Sequence, residues 1–64
     1  MTNQLAQLPA RTASAVEFSD GITRPAGTLV QVSQWAVESR QDYVTVTVDG
    51  GATALVSLFS ITPA

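Results

Sequence analysis

The stretch Tyr43-Val44-Thr45-Val46-Thr47-Val48-Asp49-Gly50-Gly51-Ala52-Thr53-Ala54-Leu55-Val56-Ser57 decides the fold. Its opening residues alternate strictly, with Val44, Val46 and Val48 on one side and Tyr43, Thr45 and Thr47 on the other, the period of a half-buried strand. Facing residues of an antiparallel pair project to the same side, so a loop length can be tested by the faces it produces. With Asp49-Gly50-Gly51 as a three-residue loop, Val48 opposes Ala52, Val46 opposes Ala54 and Val44 opposes Val56. Thr47 then faces Thr53, Thr45 faces Leu55 and Tyr43 faces Ser57, and a glycine stands where the loop needs a positive φ. A two-residue Asp49-Gly50 loop would set Val46 against Thr53 and Val44 against Leu55, mixing the faces. The three-residue loop is the expectation.

The same logic extends to the rest of the chain. Charges fall at Arg11, Glu17, Asp20, Arg24, Glu38, Arg40, Asp42 and Asp49, and none follows. Most coincide with turn formers: Ser19-Asp20-Gly21, Arg24-Pro25-Ala26-Gly27, Glu38-Ser39-Arg40-Gln41-Asp42 and Asp49-Gly50-Gly51. Between them lie Val- and Thr-rich runs at Ala15–Phe18, Thr28–Val37, Tyr43–Val48 and Thr53–Phe59, which read as an all-β meander. Residues 28–37 carry apolar side chains of both parities, Leu29, Trp35 and Val37 on one and Val30, Val32 and Ala36 on the other. A four-residue loop at 39–42 places Trp35 beside Val46 in the core. A three-residue loop at 39–41, or a five-residue one at 38–42, places Trp35 beside Thr45 on the opposite face. The core position is favoured, because a lone Trp in so small a domain is its largest packing unit.

Residues 1–14 show no clear period, and Pro9 stops any helical turn begun by Leu5 and Leu8. They read as a flexible N-terminal arm ahead of a single small β domain at 15–62. The tail from Ser60 to Ala64 supplies one apolar anchor, Ile61, and then frays. Short strands in so few residues fit a partly closed, SH3-like barrel, in which a long loop at Ser19–Gly27 precedes a three-strand meander. A four-to-five-stranded open antiparallel meander that dimerises is the alternative.

Composition closes off much chemistry. The 64 residues contain no Cys, no His and no Lys, and carry a net charge of −2. Ordinary zinc sites, disulfides, thiol nucleophiles and Ser-His or Cys-His pairs are excluded, and no cofactor is expected. A phosphate-neutralising nucleic-acid binder would need clustered cations, so nucleic acid is not expected as a partner. A domain of this size hides only about 60% of its unfolded surface and lacks any staple, so either its packing is very good or apolar surface is shared between subunits. No basic segment precedes an apolar stretch of signal length, and no run approaches about 20 apolar residues. The expectation is a cytoplasmic protein without a membrane partner.

Three constellations could carry function. Arg24, Gly27 and Thr28 lie on one turn where a guanidinium, a hydroxyl and backbone N–H groups could hold a phosphate or carboxylate. A solvated turn Arg paired with Asp20 or Glu17 is the plainer interpretation. Glu38, Arg40 and Asp42 alternate through a presumptive turn, where solvated charges are the default, although Arg40 could contribute to ligand binding. Tyr43, Leu55 and Phe59 share the second face with Thr45, Thr47, Thr53 and Ser57, and Trp35 joins them if the loop before Tyr43 has three or five residues. Such a surface could stack a ligand through Trp35 and Tyr43, or form a subunit interface through Leu55 and Phe59.

Taken together, these features describe a non-enzymatic, homo-oligomeric β protein that acts by binding. The expected role is regulatory or inhibitory, of the kind phages and mobile elements carry, with capture of a macromolecule or an anionic small molecule. A structural or assembly module, such as a phage particle component, is the alternative. An enzyme with a symmetric pore site comes third.

Overall fold

The structure, a computed structural model, describes residues 6–64. The described strands are, in chain order, β1 (Gln7–Thr12), β2 (Val16–Glu17), β3 (Thr23–Arg24), β4 (Leu29–Ser33), β5 (Tyr43–Thr47), β6 (Thr53–Ser57) and β7 (Ile61–Pro63). A short helix, α1 (Gln34–Glu38), joins β4 to β5, and a 3-10 turn at Leu58–Ser60 joins β6 to β7. The long strands form one curled antiparallel sheet in the order β6-β5-β4-β1-β7, while β2 and β3 pair separately. This is the small, barrel-like all-β fold that the turn spacing implies.

The β5–β6 hairpin has the register its faces require. Val46 pairs with Ala54, Val44 with Val56, Thr45 with Leu55 and Tyr43 with Ser57. The Val48 N–H donates to the Ala52 carbonyl at 2.9 Å and closes the three-residue loop, where Gly50 and Gly51 take φ of 95° and 93°. A Cβ added at either glycine would meet no atom within 4 Å, so the demand for glycine there is conformational and not steric.

Residues 7–12 belong to the sheet, which corrects the interpretation of 1–14 as an arm. β1 lies between β4 and β7, pairing Leu8 with Val32 and Ala10 with Val30 on one side and Arg11 with Thr62 on the other. Even-numbered residues of β1 hydrogen-bond toward β4, as the Thr12 N–H to Thr28 carbonyl and Gln34 N–H to Ala6 carbonyl bonds show. Odd-numbered ones face β7, so the N–H that Pro9 lacks would have met only Ala64, the last residue of that ladder. A proline inside a central strand is tolerated because its missing donor falls at the end of its partner strand. Residues 1–5 of the expected arm lie outside the described residues. The tail is likewise a strand, with Ile61 packed against the core as its anchor.

The second correction concerns Thr28–Val37. β4 ends at Ser33, and the chain turns into α1, so the strand parity breaks and Trp35 stands on the helix, more than half exposed, instead of in the core. The register of Gln31 with Thr47 and Val32 with Val46 matches none of the tight-loop alternatives. After α1 the Arg40 N–H bonds the Val37 carbonyl and the Gln41 N–H bonds the Ala36 carbonyl, closing the helix with Arg40 in the left-handed region at φ 55°.

The core is built on valine. Val30, Val32, Val44 and Val46 are fully buried on the concave side, with Val48, Val56, Ala10 and Phe18 completing it. Phe18 comes from the excursion between β1 and β4 and takes the role of a plug. That excursion is pinned at its base and near its tip: the Gly27 N–H donates to the Thr12 carbonyl at 2.7 Å, and the Ser19 N–H to the Thr53 carbonyl of β6 at 2.8 Å.

Candidate functional site

The Arg24–Thr28 turn is built, and Arg24, Gly27 and Thr28 each already donate to an internal acceptor. Gly21 and Gly27 supply the positive φ that lets the excursion double back. Asp20 accepts the Ile22 N–H at 3.1 Å and takes both arms of Arg24, at 3.2 and 2.9 Å. This bidentate pair holds the Asp20 carboxyl below the ordinary carboxylate range, with the Arg24 hydrogen bonds as the main cause and the Ile22 N–H next, and it raises Arg24 in turn. The Arg24 guanidinium also stacks on the Phe18 ring at 4.9 Å. The Thr28 hydroxyl donates to the Pro25 carbonyl at 2.6 Å, the Thr28 N–H reaches the same carbonyl, and the Gly27 N–H goes to Thr12. Arg24 and Thr28 do share a cleft of about 250 Å³ with Gln31 and Thr47, but Asp49 lines it too. An anion entering there would meet a cation already matched by Asp20 and a second carboxylate across the cleft.

The exposed apolar residues are arranged differently. Tyr43 and Leu55 stand on the convex face of β5 and β6, 63% and 69% exposed, among the hydroxyls of Thr45, Thr47, Thr53 and Ser57. They are diagonal neighbours across the β5–β6 ladder, within reach of one another. Phe59, on the 3-10 turn that follows β6, is 89% exposed, and Trp35, on α1, is 57% exposed. The sheet thus brings Tyr43 and Leu55 to one face as their parity requires. Trp35 and Phe59 lie outside the sheet, on the segments that enter β5 and leave β6 at the end away from the Asp49-Gly50-Gly51 loop.

Arg40 lies at this same end. It shares a shallow cleft of about 300 Å³ with Val37, Asp42, Leu58 and Phe59. Its backbone is left-handed, a conformation unfavourable by about 1–2 kcal/mol for a residue with a Cβ, and Phe59 in the same cleft is the most exposed aromatic ring of the described chain. Glu38 accepts from the Gln34 amide at 2.7 Å, so the alternating charges of the turn do not converge on one site. A separate apolar groove of about 130 Å³ runs between β1, β7 and α1, floored by Leu8, Val32, Val37, Leu58 and Ile61. The groove could not be read from the sequence, because it depends on β1 and β7 being strands. Leu29 and Ile22 are two further exposed apolar residues, at positions that the sequence reads as strand and loop without any surface role.

Among the described residues no group of carboxylates forms a metal-ligand set, and no helix is long and apolar enough to cross a membrane. The fold and surface define a small all-β half-barrel with an aromatic and aliphatic end. No protein-family model matches the chain, and the searches find no similar curated protein and no similar solved structure.

Proposed function

We propose that this protein acts by binding and not by catalysis, as a small homo-oligomeric module whose contact surface is the end carrying Trp35, Tyr43, Leu55, Phe59 and Arg40. The observation that carries this reading is the exposure of four large apolar side chains in a 64-residue chain, Tyr43 and Leu55 on the β5–β6 face and Trp35 and Phe59 on the segments that flank it. Surfaces of this kind mark protein contacts, with aromatic residues and Arg as the usual energetic anchors. Capture of an anionic small molecule by Arg24, Gly27 and Thr28 is the weaker reading, because the donors it needs already have internal acceptors.

A regulatory or inhibitory protein would use this end to cover a working surface on another cytoplasmic macromolecule. The assembly-module reading draws on a different feature, the absence of charge from residue 50 onward. Genomic neighbours separate the two, morphogenesis genes favouring assembly and regulatory or defence genes favouring inhibition.

The direct test is serine substitution at Trp35, Tyr43 and Phe59, with association measured by sedimentation and by titration of any protein that copurifies from the host. Each variant, compared with the wild type at a dilution where both are monomeric, should keep its stability within about 0.5 kcal/mol, as exposed positions do, and weaken association about 30-fold or more. Variants that associate like the wild type would sink the proposal.

A further inference from the structure

Strand β6 is an edge of the sheet, and its hydrogen-bond alternation shows which backbone groups stay free. The Val48 N–H donates to the Ala52 carbonyl and the Leu58 N–H to the Asp42 carbonyl. With the observed register, the bonded pairs of the β5–β6 ladder are therefore Val46 with Ala54 and Val44 with Val56. The N–H and C=O groups of Thr53, Leu55 and Ser57 point away from β5. Thr53 gives both of its groups to Ser19, its N–H to the hydroxyl at 3.0 Å and its carbonyl to the backbone N–H. Leu55 and Ser57 make no such bond among the described residues, although β2 packs close to β6. The other edge is protected differently: by the same alternation β7 turns Ile61 and Pro63 outward, and Pro63 has no N–H to offer. β6 contains neither proline nor charge.

We propose that β6 pairs antiparallel with β6 of a second copy of this chain, Leu55 of each copy lying opposite Ser57 of the other. The proposal rests on the binding reading above and names the occupant of its β6 side. A second copy fits better than a foreign strand because the free positions are self-complementary. Under a two-fold axis the Leu55–Ser57 contact is made twice, and the Leu55 and Ser57 N–H groups find the Ser57 and Leu55 carbonyls of the other copy. Thr53, already engaged by Ser19, falls outside the paired segment. Charge agrees with this choice. Each copy carries a net −2, and a neutral seam lets the two meet without like charges opposed across the strands.

Side chains on the convex face complete the contact. Ser57 lies between Tyr43 of its own chain and Leu55 of the second copy, and its small size leaves room for the Tyr43 ring to reach that Leu55. A stable interface buries about 800 Å² per partner, about a fifth of this chain's 4252 Å². Leu55 on β6, Tyr43 on the adjacent β5 and Phe59 on the turn that follows β6 are the exposed apolar side chains available to supply it.

Amide hydrogen exchange across about a hundredfold range of protein concentration, paired with sedimentation, tests the pairing. Exchange at Leu55 and Ser57 should slow about tenfold or more as the mass doubles, while the Ile61 amide on the opposite edge stays fast. Leu55→Pro removes an N–H that the fold itself does not use, and Leu55→Lys puts charge on the seam while keeping that N–H. Both variants should remain folded and monomeric, and the Lys variant carries the test if the Pro variant fails to fold. A wild type that stays monomeric throughout would overturn the pairing. So would a dimer in which the Leu55 and Ser57 amides remain fast, an outcome that seats the second copy on the Trp35–Phe59 end and leaves the binding reading standing. Serine variants of Trp35, Tyr43 and Phe59 that change no association would overturn the binding reading itself.

Discussion

Two arginines show how differently a residue can be held. Arg24 is spent on structure: it clamps Asp20 and covers the Phe18 ring. Because the pair depresses the Asp20 carboxyl in the folded chain, its stabilisation is present above the ordinary carboxylate range of about pH 4 and is lost as pH falls through the lowered folded value. Asp20→Asn should therefore lower the melting temperature slightly at neutral pH and make no difference in strong acid. The gap should also narrow at high salt, since the pair lies at the surface. A gap that widens toward low pH would refute this account of the pair. Arg40 is held at a cost, in a left-handed helix cap where glycine is the usual occupant. Arg40→Gly should stabilise the fold by about 0.5–1 kcal/mol in a urea titration, and Arg40→Ala should not. If Arg40 belongs to the contact surface, the glycine variant will be more stable and bind less well, a combination that simple packing does not produce.

At the scale of elements, the part of the chain least expected to matter closes the sheet. β1 joins the β4–β5–β6 meander to β7, so removing residues 1–14 exposes the valine core along a whole strand and frees the edges of both neighbours. The truncated chain should lose its cooperative melting transition by circular dichroism. A shortened chain that still melts cooperatively would restore the arm interpretation. The β5–β6 hairpin was legible in the sequence because strict alternation and a Gly-Gly loop constrain each other, and a wrong loop length mixes the faces. β1 was not legible, because Pro9 signals the end of regular structure unless one knows which side of the strand its missing N–H faces. α1 was hidden by a similar local ambiguity. Gln34 and Glu38 are spaced to bond one turn apart on a helix, but the same residues also continue an alternating strand. Misplacing that boundary moves Trp35 from the surface into the expected core. The exposed pair Tyr43 and Leu55 was readable from parity alone, whereas the commitment of Arg24, Gly27 and Thr28 to internal acceptors emerged only from the fold.

For the molecule as a whole, the low charge and the small core have one common consequence. Among the described residues the largest fully buried side chains are all valines, and Phe18 is the one aromatic ring in the core. A single core in a domain this short supplies only about 3–5 kcal/mol, with no cysteine for a disulfide and, among the described residues, no metal-ligand set to add to it. The same chain keeps Tyr43, Leu55, Phe59 and Trp35 largely outside that core. Apolar surface withheld from folding can still contribute to stability if a second copy covers it, because association that favours the native state adds to stability by mass action. Stability should then depend on concentration. For a folded dimer that unfolds to separate chains, a tenfold rise in concentration adds about 0.7 kcal/mol per chain, which for a domain of this size raises the melting temperature by about 3–6 °C. Scanning calorimetry above the dissociation midpoint should show that rise for the wild type and a flat response for Leu55→Lys. A wild-type transition that stays fixed over the same range would mean that the valine core alone sustains the fold, and that the exposed end is reserved for a different protein.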